Sequence, residues 1–399
     1  MKKYLFMALA AAFTVFTACD DDEKEAQKYQ VTVKVSCEEA DLSSMNSIKA
    51  TALSETGKTT SVSADNGLAV LKLVAGSYTI SVVGSDDVFN YVGSVQCVVT
   101  NSNIDSLSVS LVKTKPYGSI VFKEVYSTGV SDFYWTDGFY ELFNNSDEVQ
   151  YLDGIILGIV QCGSGSVSSW ADEEGNLPSY YPMGSHTVYF PGSGNEYPIN
   201  PGQSVVIATR AINHSARELG ETDTESPVDM SNADWEIYIP SSTQDTDNPD
   251  VPNLEVAYSQ FGFDFMPAVA GQALIIARLP KDSVMEDFIA NNALKPEGQY
   301  RAALCIPNEY VIDAVDIIYY NEDQMINKTI LETDDAGYTY YSGSDEEWTS
   351  PMYCGKSLRR KCSSVKNGRF YLQDTNNSSN DFILGGQTPV AHRSFTSAD

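Results

Sequence analysis

The chain has 399 residues, and its 54 Asp and Glu residues outnumber its 25 Lys and Arg residues, which gives a formal net charge of −29 at pH 7. Such a surface repels the phosphates of DNA and RNA, so nucleic acid is excluded as a partner. With 42% hydrophobic residues and 24 tyrosines, the chain has the composition of folded globular domains and not of a disordered segment.

The first 19 residues have the features of an export signal. Lys2 and Lys3 precede an apolar stretch at residues 4–15, which is shorter than the ~20 residues that a helix needs to cross a bilayer. Small residues then precede Cys19, and this ending resembles a bacterial lipobox, in which the cysteine is acylated after cleavage. We therefore predict a lipoprotein signal peptide at residues 1–19 and lipidation of Cys19. The alternative is an ordinary signal peptide with an incidental cysteine.

Residues 20–28 form an acidic linker that begins with Asp20, Asp21, Asp22 and Glu23. This stretch resembles the export tag of Bacteroidota-type lipoproteins, and low hydrophobicity with like charge would also produce a solvated linker. The resemblance implies an outer-membrane protein that is lipid-anchored and faces the extracellular side. Several acyl chains, each gaining ~0.8 kcal/mol per buried CH₂, would make the membrane attachment lasting.

Residues 29–113 alternate between apolar and polar side chains with period two, which predicts an antiparallel β-sandwich. The predicted strands lie at residues 29–35, 47–52, 68–73, 77–82, 94–99 and 107–112. Within them, residues 65–82 resemble the transthyretin-like, carboxypeptidase-regulatory type of sandwich, in which a Gly opens one strand and Gly-x-Tyr opens its hairpin partner. The resemblance implies an Ig-like spacer or interaction module without chemistry of its own.

Pro116 and Gly118 mark a boundary, after which residues 114–399 form a second β-rich domain. Its predicted strands lie at residues 119–126, 138–147, 149–158, 199–208, 272–278, 311–320 and 355–360. Residues 159–198, 209–270 and 280–309 are predicted to be large loop insertions. A short helix is predicted at residues 284–294, with Ser283 as its N-cap. The predicted fold class is therefore all-β, with one or two short helices.

Short motifs in the second domain follow the order found in lamin-tail domains, which are immunoglobulin-like sandwiches. They are Glu124-Val125, Glu141-Leu142 with Asn144-Asn145, Leu152-Asp153-Gly154, Pro201-Gly202, Val315-Asp316 and Ser357-Leu358-Arg359-Arg360. The resemblance implies a lamin-tail-like β-sandwich and implies no activity, because that fold carries unrelated functions. As a whole, the chain resembles an uncharacterised family of Bacteroidota-type surface lipoproteins with this two-part layout.

The six cysteines other than Cys19 are even in number, which permits disulfides in an exported protein. Cys37 and Cys97 lie on or beside two predicted strands of one sandwich and form the candidate disulfide, while Cys354 and Cys362 are close in sequence. Sequence alone leaves the pairing open, and buried free thiols are the alternative. Because no pair has CxxC spacing, a zinc site is not predicted.

Candidate catalytic residues are few. The chain has three histidines, His186, His214 and His392, and none lies in a Gly-x-Ser-x-Gly or His-Glu-x-x-His motif, so histidine-based hydrolysis is not favoured. A pair of carboxylates held ~5–9.5 Å apart could cleave glycosides, but sequence cannot select a pair among 54 acids. No catalytic residue and no cofactor are therefore predicted.

Two acidic loops leave calcium open as a ligand. Residues 245–250 and 374–381 are rich in Asp and Asn, which offer the oxygen ligands that Ca²⁺ prefers. The same residues cap turns by bonding their own backbone, and the turn interpretation is favoured. Among the aromatic residues, Phe139 and Phe143 are predicted to lie in the core, and the segment 338–348 is left open between core and ligand contact.

Asp105-Ser106-Leu107 and Asp282-Ser283-Val284 are similar to the short O-glycosylation sequon of Bacteroidota-type exported proteins, so Ser106 and Ser283 are candidate modification sites. Taken together, the sequence predicts a non-enzymatic surface lipoprotein of the outer membrane that binds a ligand or partner. An outer-membrane transporter and a glycan are the candidate partners. The alternatives are an extracellular glycan-active hydrolase and a structural or adhesive surface module.

Overall fold

The structure is a computed structural model that describes residues 26–45, 47–54, 58–85, 90–113, 119–131, 134–161, 168–220, 224–260, 262–269, 271–280, 283–318, 327–342 and 352–399. The predicted signal peptide, Cys19, Cys162 and Trp348 lie outside the described residues. The described chain is mostly β-strand with short helices, which confirms the predicted all-β fold class.

The N-terminal part is built from strands alone, apart from a short 3₁₀ turn at Leu42–Ser44. Its strands are β1 (Tyr29–Cys37), β2 (Ser47–Ser54), β3 (Thr59–Ser63), β4 (Leu68–Leu73), β5 (Gly76–Ser85), β6 (Asn90–Val99) and β7 (Ile104–Lys113). They pair in the order β3-β2-β5-β6-β7-β1-β4. All neighbours are antiparallel except β1 and β7, which run parallel.

This sheet folds over an apolar core, so that its edge strands β3 and β4 come into contact. The core contains one alternate set of side chains from each strand, such as Val31 and Val33 of β1, Leu71 of β4 and Ile80 of β5. Alternation buries these residues because successive side chains of a strand point to opposite faces. Strand β3, with the sequence Thr-Thr-Ser-Val-Ser, escaped prediction because an exposed edge strand needs few apolar residues.

The second part carries the remaining strands and both described helices. Its first strands are β8 (Ile120–Tyr126), β9 (Phe139–Asn144), β10 (Gln150–Tyr151), β11 (Ile155–Val160), β12 (Tyr180–Tyr189), β13 (Pro198–Ile199), β14 (Ser204–Ala208), β15 (Trp235–Glu236) and β16 (Glu255–Ser259). They are followed by β17 (Leu274–Arg278), α1 (Met285–Asn292), β18 (Ala293–Leu294), β19 (Ala303–Pro307), β20 (Val311–Val315), β21 (Ile317–Ile318), β22 (Thr339–Tyr340), β23 (Leu358–Arg359), β24 (Cys362–Lys366), β25 (Arg369–Leu372) and α2 (Ser378–Asp381).

Two sheets of the second part share one core. One sheet has the order β18-β19-β12-β11-β17-β20, with β16 also paired to β12, and the other has the order β15-β14-β9-β8-β23. Phe122 of β8 and Leu142 of β9 pack in the same cluster as Leu157 of β11 and Ile276 of β17. The two sheets therefore form a β-sandwich. Phe139 and Phe143 are fully buried, which confirms the core positions predicted for them.

Strand β11 is buried on both faces, which explains its unbroken apolar sequence. Leu157 and Ile159 face the shared core, while Ile156 and Val160 belong to a second cluster on the outer face of the sheet. Helix α1 covers that outer face with Phe288 and Ile289. The helix was predicted, but its N-cap is Val284 and not Ser283, because the first helical hydrogen bond runs from Phe288 N to Val284 O.

The stretches predicted to be loop insertions supply strands of this sheet. Strand β12 lies within residues 159–198, β16 within 209–270, and β18 and β19 within 280–309. Pro182, Gly184 and Ser185 interrupt the apolar pattern of β12, and the register shifts between Leu157 and Ile159 opposite them. A bulge of this kind hides a strand from a period-two search.

The two parts touch through the segment around β22. Tyr338 Oη lies 3.1 Å from Thr79 Oγ1 of β5, and Ser94 Oγ of β6 donates to the carbonyl oxygen of Ala336 at 3.4 Å. The predicted 338–348 aromatic segment therefore begins as buried structure, since Tyr338, Tyr340 and Tyr341 are each at most 9% exposed. Its remaining residues from 343 onward lie outside the described part.

Candidate functional site

A groove of about 840 Å³ opens at one end of the second sandwich. Strand pairing brings its walls together, because β11 begins where β12 and β17 end, and β16 begins opposite the last residue of β12. The loop after β12, the residues after β17 and the first turn of α1 complete the lining. The volume falls in the range of ligand-binding clefts, about 300–1,000 Å³.

Asp153 holds one wall of the groove in place. Its Oδ1 accepts hydrogen bonds from the backbone N–H groups of Gly194 at 3.0 Å and Glu196 at 2.9 Å, and its Oδ2 accepts from Tyr197 N at 2.9 Å. Burial alone would raise the pKa of Asp153, but these backbone hydrogen bonds lower it below the ordinary value. The carboxylate thus stays charged and fixes the loop at residues 192–197.

Glu255 and Tyr189 face each other across the β12–β16 pair. The Tyr189 hydroxyl donates to Glu255 Oε2, and burial together with this carboxylate raises the pKa of the phenol. The charge of Glu286, in the first turn of α1, also acts on Tyr189. Glu255 and Glu286 are both exposed, so the groove presents two accessible carboxylates beside one aromatic ring.

Arg278 supplies the positive charge of the groove. Burial lowers the pKa of its guanidinium and the nearby Asp153 carboxylate opposes that change. Its Nη2 donates to the carbonyl oxygen of Tyr151 at 2.7 Å, which fixes the side chain at the end of β17. The lining therefore combines fixed charges of both signs with exposed hydrogen-bond acceptors.

Carboxylates that accept hydrogen bonds, a guanidinium that donates them and an aromatic ring together suit a ligand with many hydroxyl groups. The sequence did not reveal this site, because its residues come from five separate segments between 153 and 286. Two of the lining residues did belong to a motif recognised in the sequence, because Asp153 and Gly154 are part of the Leu152-Asp153-Gly154 motif.

Ser283 lies on the rim of this groove and is exposed. Ser106 is exposed on β7. Both hydroxyls are open to a modifying enzyme, and their O-glycosylation stays a prediction.

Cys37 and Cys97 are both free thiols in the structure, and a disulfide between them stays a prediction. Cys37 ends β1 opposite Leu111 of β7, whereas Cys97 lies opposite Tyr78 of β5. Cys305, Cys354 and Cys362 are also free thiols.

A polar cluster that sequence reasoning missed lies at the open end of β14. Ser204 Oγ donates to Glu141 Oε1 at 2.5 Å and lies 3.5 Å from His392 Nδ1. His392 Nε2 is 3.2 Å from Asp234 Oδ2, and Lys123 Nζ is 2.7 Å from Glu141 Oε1.

This cluster contains the residue types of a serine hydrolase, but the serine hydroxyl lies closer to Glu141 than to His392. His392 is hydrogen-bonded to Asp234, and this contact raises the pKa of the imidazole above its ordinary value. The hydroxyl proton of Ser204 is directed to Glu141. His186 and His214 are fully buried, and burial lowers the pKa of His214 to about 4.

In the two acidic loops, carboxylates bind other groups of the protein. Asp245 Oδ2 accepts from Ile239 N at 2.8 Å and its Oδ1 lies 3.4 Å from Arg210 Nε. Asp381 accepts hydrogen bonds from Thr375 N and Oγ1, each at 2.8 Å. Among the residues that the structure describes, no group of three or more His, Cys, Asp or Glu side chains is arranged to hold a metal ion.

Residues 200–389 match the DUF4876 family model, whose description is protein of unknown function. The solved structure of a DUF4876 family protein from Bacteroides thetaiotaomicron is similar over 92% of this chain and 97% of that chain, with 26% sequence identity and a TM-score of 0.58. The similarity to this uncharacterised family therefore extends well beyond residues 200–389, as the sequence resemblance to an uncharacterised Bacteroidota family led us to expect.

Two further solved structures are more distant. A candidate adhesin from Bacteroides ovatus matches with 10% identity over 72% of this chain and 93% of that chain, at a TM-score of 0.21. A leucine-rich repeat protein from Bacteroides thetaiotaomicron matches with 15% identity over 45% of this chain and 25% of that chain, also at a TM-score of 0.21. Similarity at this level bears on neither fold nor function. A comparison with the curated proteins gives no significant match. Within the described ranges, no helix has the length and apolar character needed to span a bilayer.

Proposed function

We propose that this chain is a lipid-anchored protein of the outer-membrane surface that binds a neutral glycan in the groove and does not cleave it. The observation that carries the ligand class is the pair of exposed carboxylates, Glu255 and Glu286, beside the ring of Tyr189. Sugar hydroxyls donate hydrogen bonds to such carboxylates, and a sugar ring packs on an aromatic face.

Charge narrows the ligand to neutral glycans. Residues 114–399 contain 41 acidic and 16 basic residues, so a polymer of uronic acids or sulfated sugars would be repelled from this domain. The groove volume of about 840 Å³ lies in the upper part of the range of ligand-binding clefts, which leaves room for a short chain of sugar units.

The proposed location of the protein rests on the sequence features of residues 1–28. Acylation of Cys19 would place the two sandwiches outside the outer membrane, where a bound glycan could be passed to an outer-membrane transporter. Replacement of Cys19 by Ser is expected to abolish acylation and to move the protein from the membrane fraction to the soluble fraction. A variant that stays in the membrane fraction with unchanged mass would contradict the anchor.

Ligand binding can be measured by affinity electrophoresis of the unacylated chain in gels that contain a neutral glucan, mannan or xylan. We expect retardation by one of these polymers, and a loss of about 10-fold in affinity for Glu286→Ala, because a hydrogen bond to a charged group is lost. Asp287→Ala is the matched control, since Asp287 is the next residue of the same helical turn and does not line the groove.

Equal losses in the two variants, or no retardation by any of the three polymers, would refute the glycan site. The alternative of a glycan-active hydrolase is checked in the same samples, because Glu255 and Glu286 are two carboxylates in one groove. Chromatography of the incubated polymer would then show shorter products that disappear in Glu255→Gln.

A further inference from the structure

A second cavity, of about 200 Å³, lies at the end of the N-terminal sandwich where the chain enters it. The first residue of β1 pairs with the last residue of β4, Tyr29 with Leu73, and the turn from β4 to β5 follows directly. The turn between β2 and β3 contributes the opposite side through Ser54 and Lys58. Strand pairing thus brings three chain segments to one small opening.

Three lysines line this cavity: Lys28, Lys58 and Lys72. All three are exposed, and among the described residues the lining contains no carboxylate. Residues 26–113 contain six lysines and eight acidic residues, so half of the lysines of this module converge on one spot. A positive site of this kind stands out on a chain with a net charge of −29.

The floor of the cavity is apolar. It is formed by Leu73 at the end of β4, by Val74, and by Tyr78 of β5, which is 8% exposed. The Tyr78 hydroxyl donates to the carbonyl oxygen of Val74 at 3.1 Å, which closes the turn and leaves the ring facing the cavity. Cations on the rim and hydrocarbon below match an amphipathic anion better than a simple inorganic ion.

The position of the cavity indicates where such an anion would come from. Lys28 directly precedes β1, and Cys19 lies nine residues earlier, a distance of at most ~30 Å for an extended chain. Strand β7 runs parallel to β1, so the chain leaves the sandwich at the end opposite the cavity. A chain anchored through Cys19 would therefore turn the lysine-lined end toward the membrane.

We propose that this cavity binds the phosphate headgroup of a lipid in the membrane to which the protein is anchored. The three lysines pair with the phosphate, and the apolar floor takes the first carbons of the lipid. The contact fixes the sandwich upright on the membrane and so determines which way the second domain faces. This inference rests on the lipid anchoring that is part of the proposed function, and it is independent of the glycan site.

The test uses the chain from residue 19 onward with Cys19→Ser, so that no acyl chain contributes to binding. Sedimentation with vesicles of phosphatidylglycerol and phosphatidylcholine is compared with sedimentation with phosphatidylcholine alone, each at low salt. We expect binding to the first vesicles only. The triple variant Lys28→Gln, Lys58→Gln, Lys72→Gln is expected to lose about 100-fold in partitioning, the effect of three lysines at an anionic surface.

The matched control is the triple variant Lys34→Gln, Lys49→Gln, Lys113→Gln, which removes the same charge from the same module away from the cavity. It is expected to bind like the parent chain. Equal loss in both triple variants would overturn the proposal, since net charge alone would then explain binding. Absence of binding to the anionic vesicles would also overturn it.

Inorganic phosphate in millimolar excess distinguishes the two sources of a phosphate group. Vesicle binding that is retained at constant ionic strength supports a lipid headgroup whose carbons also contact the apolar floor, whereas complete displacement by free phosphate would show that the cavity recognises phosphate alone and would overturn the lipid assignment. Failure of the anchor itself is recognised separately, because it is read from fractionation of the acylated chain in cells and not from vesicles.

Discussion

Arg360 Nη2 lies 2.6 Å from Asp313 Oδ2, and the two side chains are only 1% and 3% exposed. The same guanidinium lies 3.4 Å from Asp374 and 3.5 Å from Asp381, and its Nε donates to the carbonyl oxygen of Phe122 at 2.7 Å. One arginine thus joins strands β8 and β20 to the loop that precedes α2. Three buried carboxylates depend on a single buried cation.

Replacement of Arg360 by Met is expected to lower the free energy of unfolding by about 3–5 kcal/mol, because it leaves Asp313, Asp374 and Asp381 buried without their cation. Urea unfolding followed by tyrosine and tryptophan fluorescence measures the change. Arg359→Met is the control, since Arg359 pairs with Asp399 near the surface at 2.8 Å and such pairs contribute at most about 1 kcal/mol. A loss no greater than that of the control would contradict the central role of Arg360.

The same cluster makes stability depend on pH. Burial, opposed by Arg360, raises the pKa of Asp313 to about 7, and burial likewise raises the pKa of Asp381. The folded state therefore holds protons that the unfolded chain, with Asp near 3.9, has released. Stability from these groups is present at pH 4 and is lost as the pH rises toward 7.

His214 acts in the opposite direction, because its pKa is lowered to about 4 by burial and its contribution is lost as the pH falls from about 6.5. The pH effects of Asp313 and His214 can be separated by comparing the parent chain with a variant that lacks the Asp313 carboxylate. The free energy of unfolding is measured from pH 4 to pH 8 for the parent chain and for Asp313→Asn. We expect the difference to change on the order of 1 kcal/mol per pH unit below pH 7. A difference that is flat across this range would show that Asp313 is ionised throughout.

The strands of the N-terminal sandwich could be predicted closely from sequence, and the reason is physical. Alternation with period two records which face of a strand is buried, as in β4, where Leu68, Val70 and Lys72 are exposed and the residues between them are buried. Register in this sheet follows from the same alternation. Alternation does not decide whether Cys37 and Cys97 pair, because pairing depends on the distance between the two residues along and across the strands.

Neither the groove nor the cluster of Arg360 with Asp313, Asp374 and Asp381 could be predicted from the sequence. Arg360 was recognised only as part of a short motif, and nothing in the sequence relates it to Asp313, which lies 47 positions away. The loop that contains Asp374 and Asp381 left calcium open as a ligand from sequence, and in the structure both carboxylates lie beside the buried guanidinium of Arg360. Long-range pairs of charges leave no periodic signal, so composition and spacing cannot reveal them.

The pKa values of His392 and His214 should respond differently to the replacement of Asp234 by Asn. In ¹H–¹⁵N spectra recorded against pH, we expect the pKa of His392 above the ordinary 6.5 and that of His214 near 4. Asp234→Asn should lower the pKa of His392, because the hydrogen bond that raises it is lost, and should leave His214 unchanged. If His392 titrates at the same pH in both proteins, the contact with Asp234 is absent in solution.

The wall of the groove depends on Gly192, which combines a left-handed backbone with a close neighbour. Its φ is +115°, and a Cβ at this position would overlap with Asp153 Oδ1 and lie 3.1 Å from the ring of Tyr197. Gly192→Ala is therefore expected to push Asp153 away from the loop that it holds and to cost about 2–4 kcal/mol in strain and overpacking.

Gly194→Ala is the matched control for this prediction. Gly194 has nearly the same φ, +118°, but a Cβ there would meet nothing within 4 Å. Backbone strain is thus shared by the two variants, and the difference between their urea midpoints measures the contacts of the added Cβ with Asp153 and Tyr197. We expect Gly192→Ala to be the less stable variant by at least about 1 kcal/mol and to show the weaker glycan retardation. Equal midpoints would mean that the loop moves freely with respect to Asp153, and a preformed groove wall could then no longer be part of the binding site.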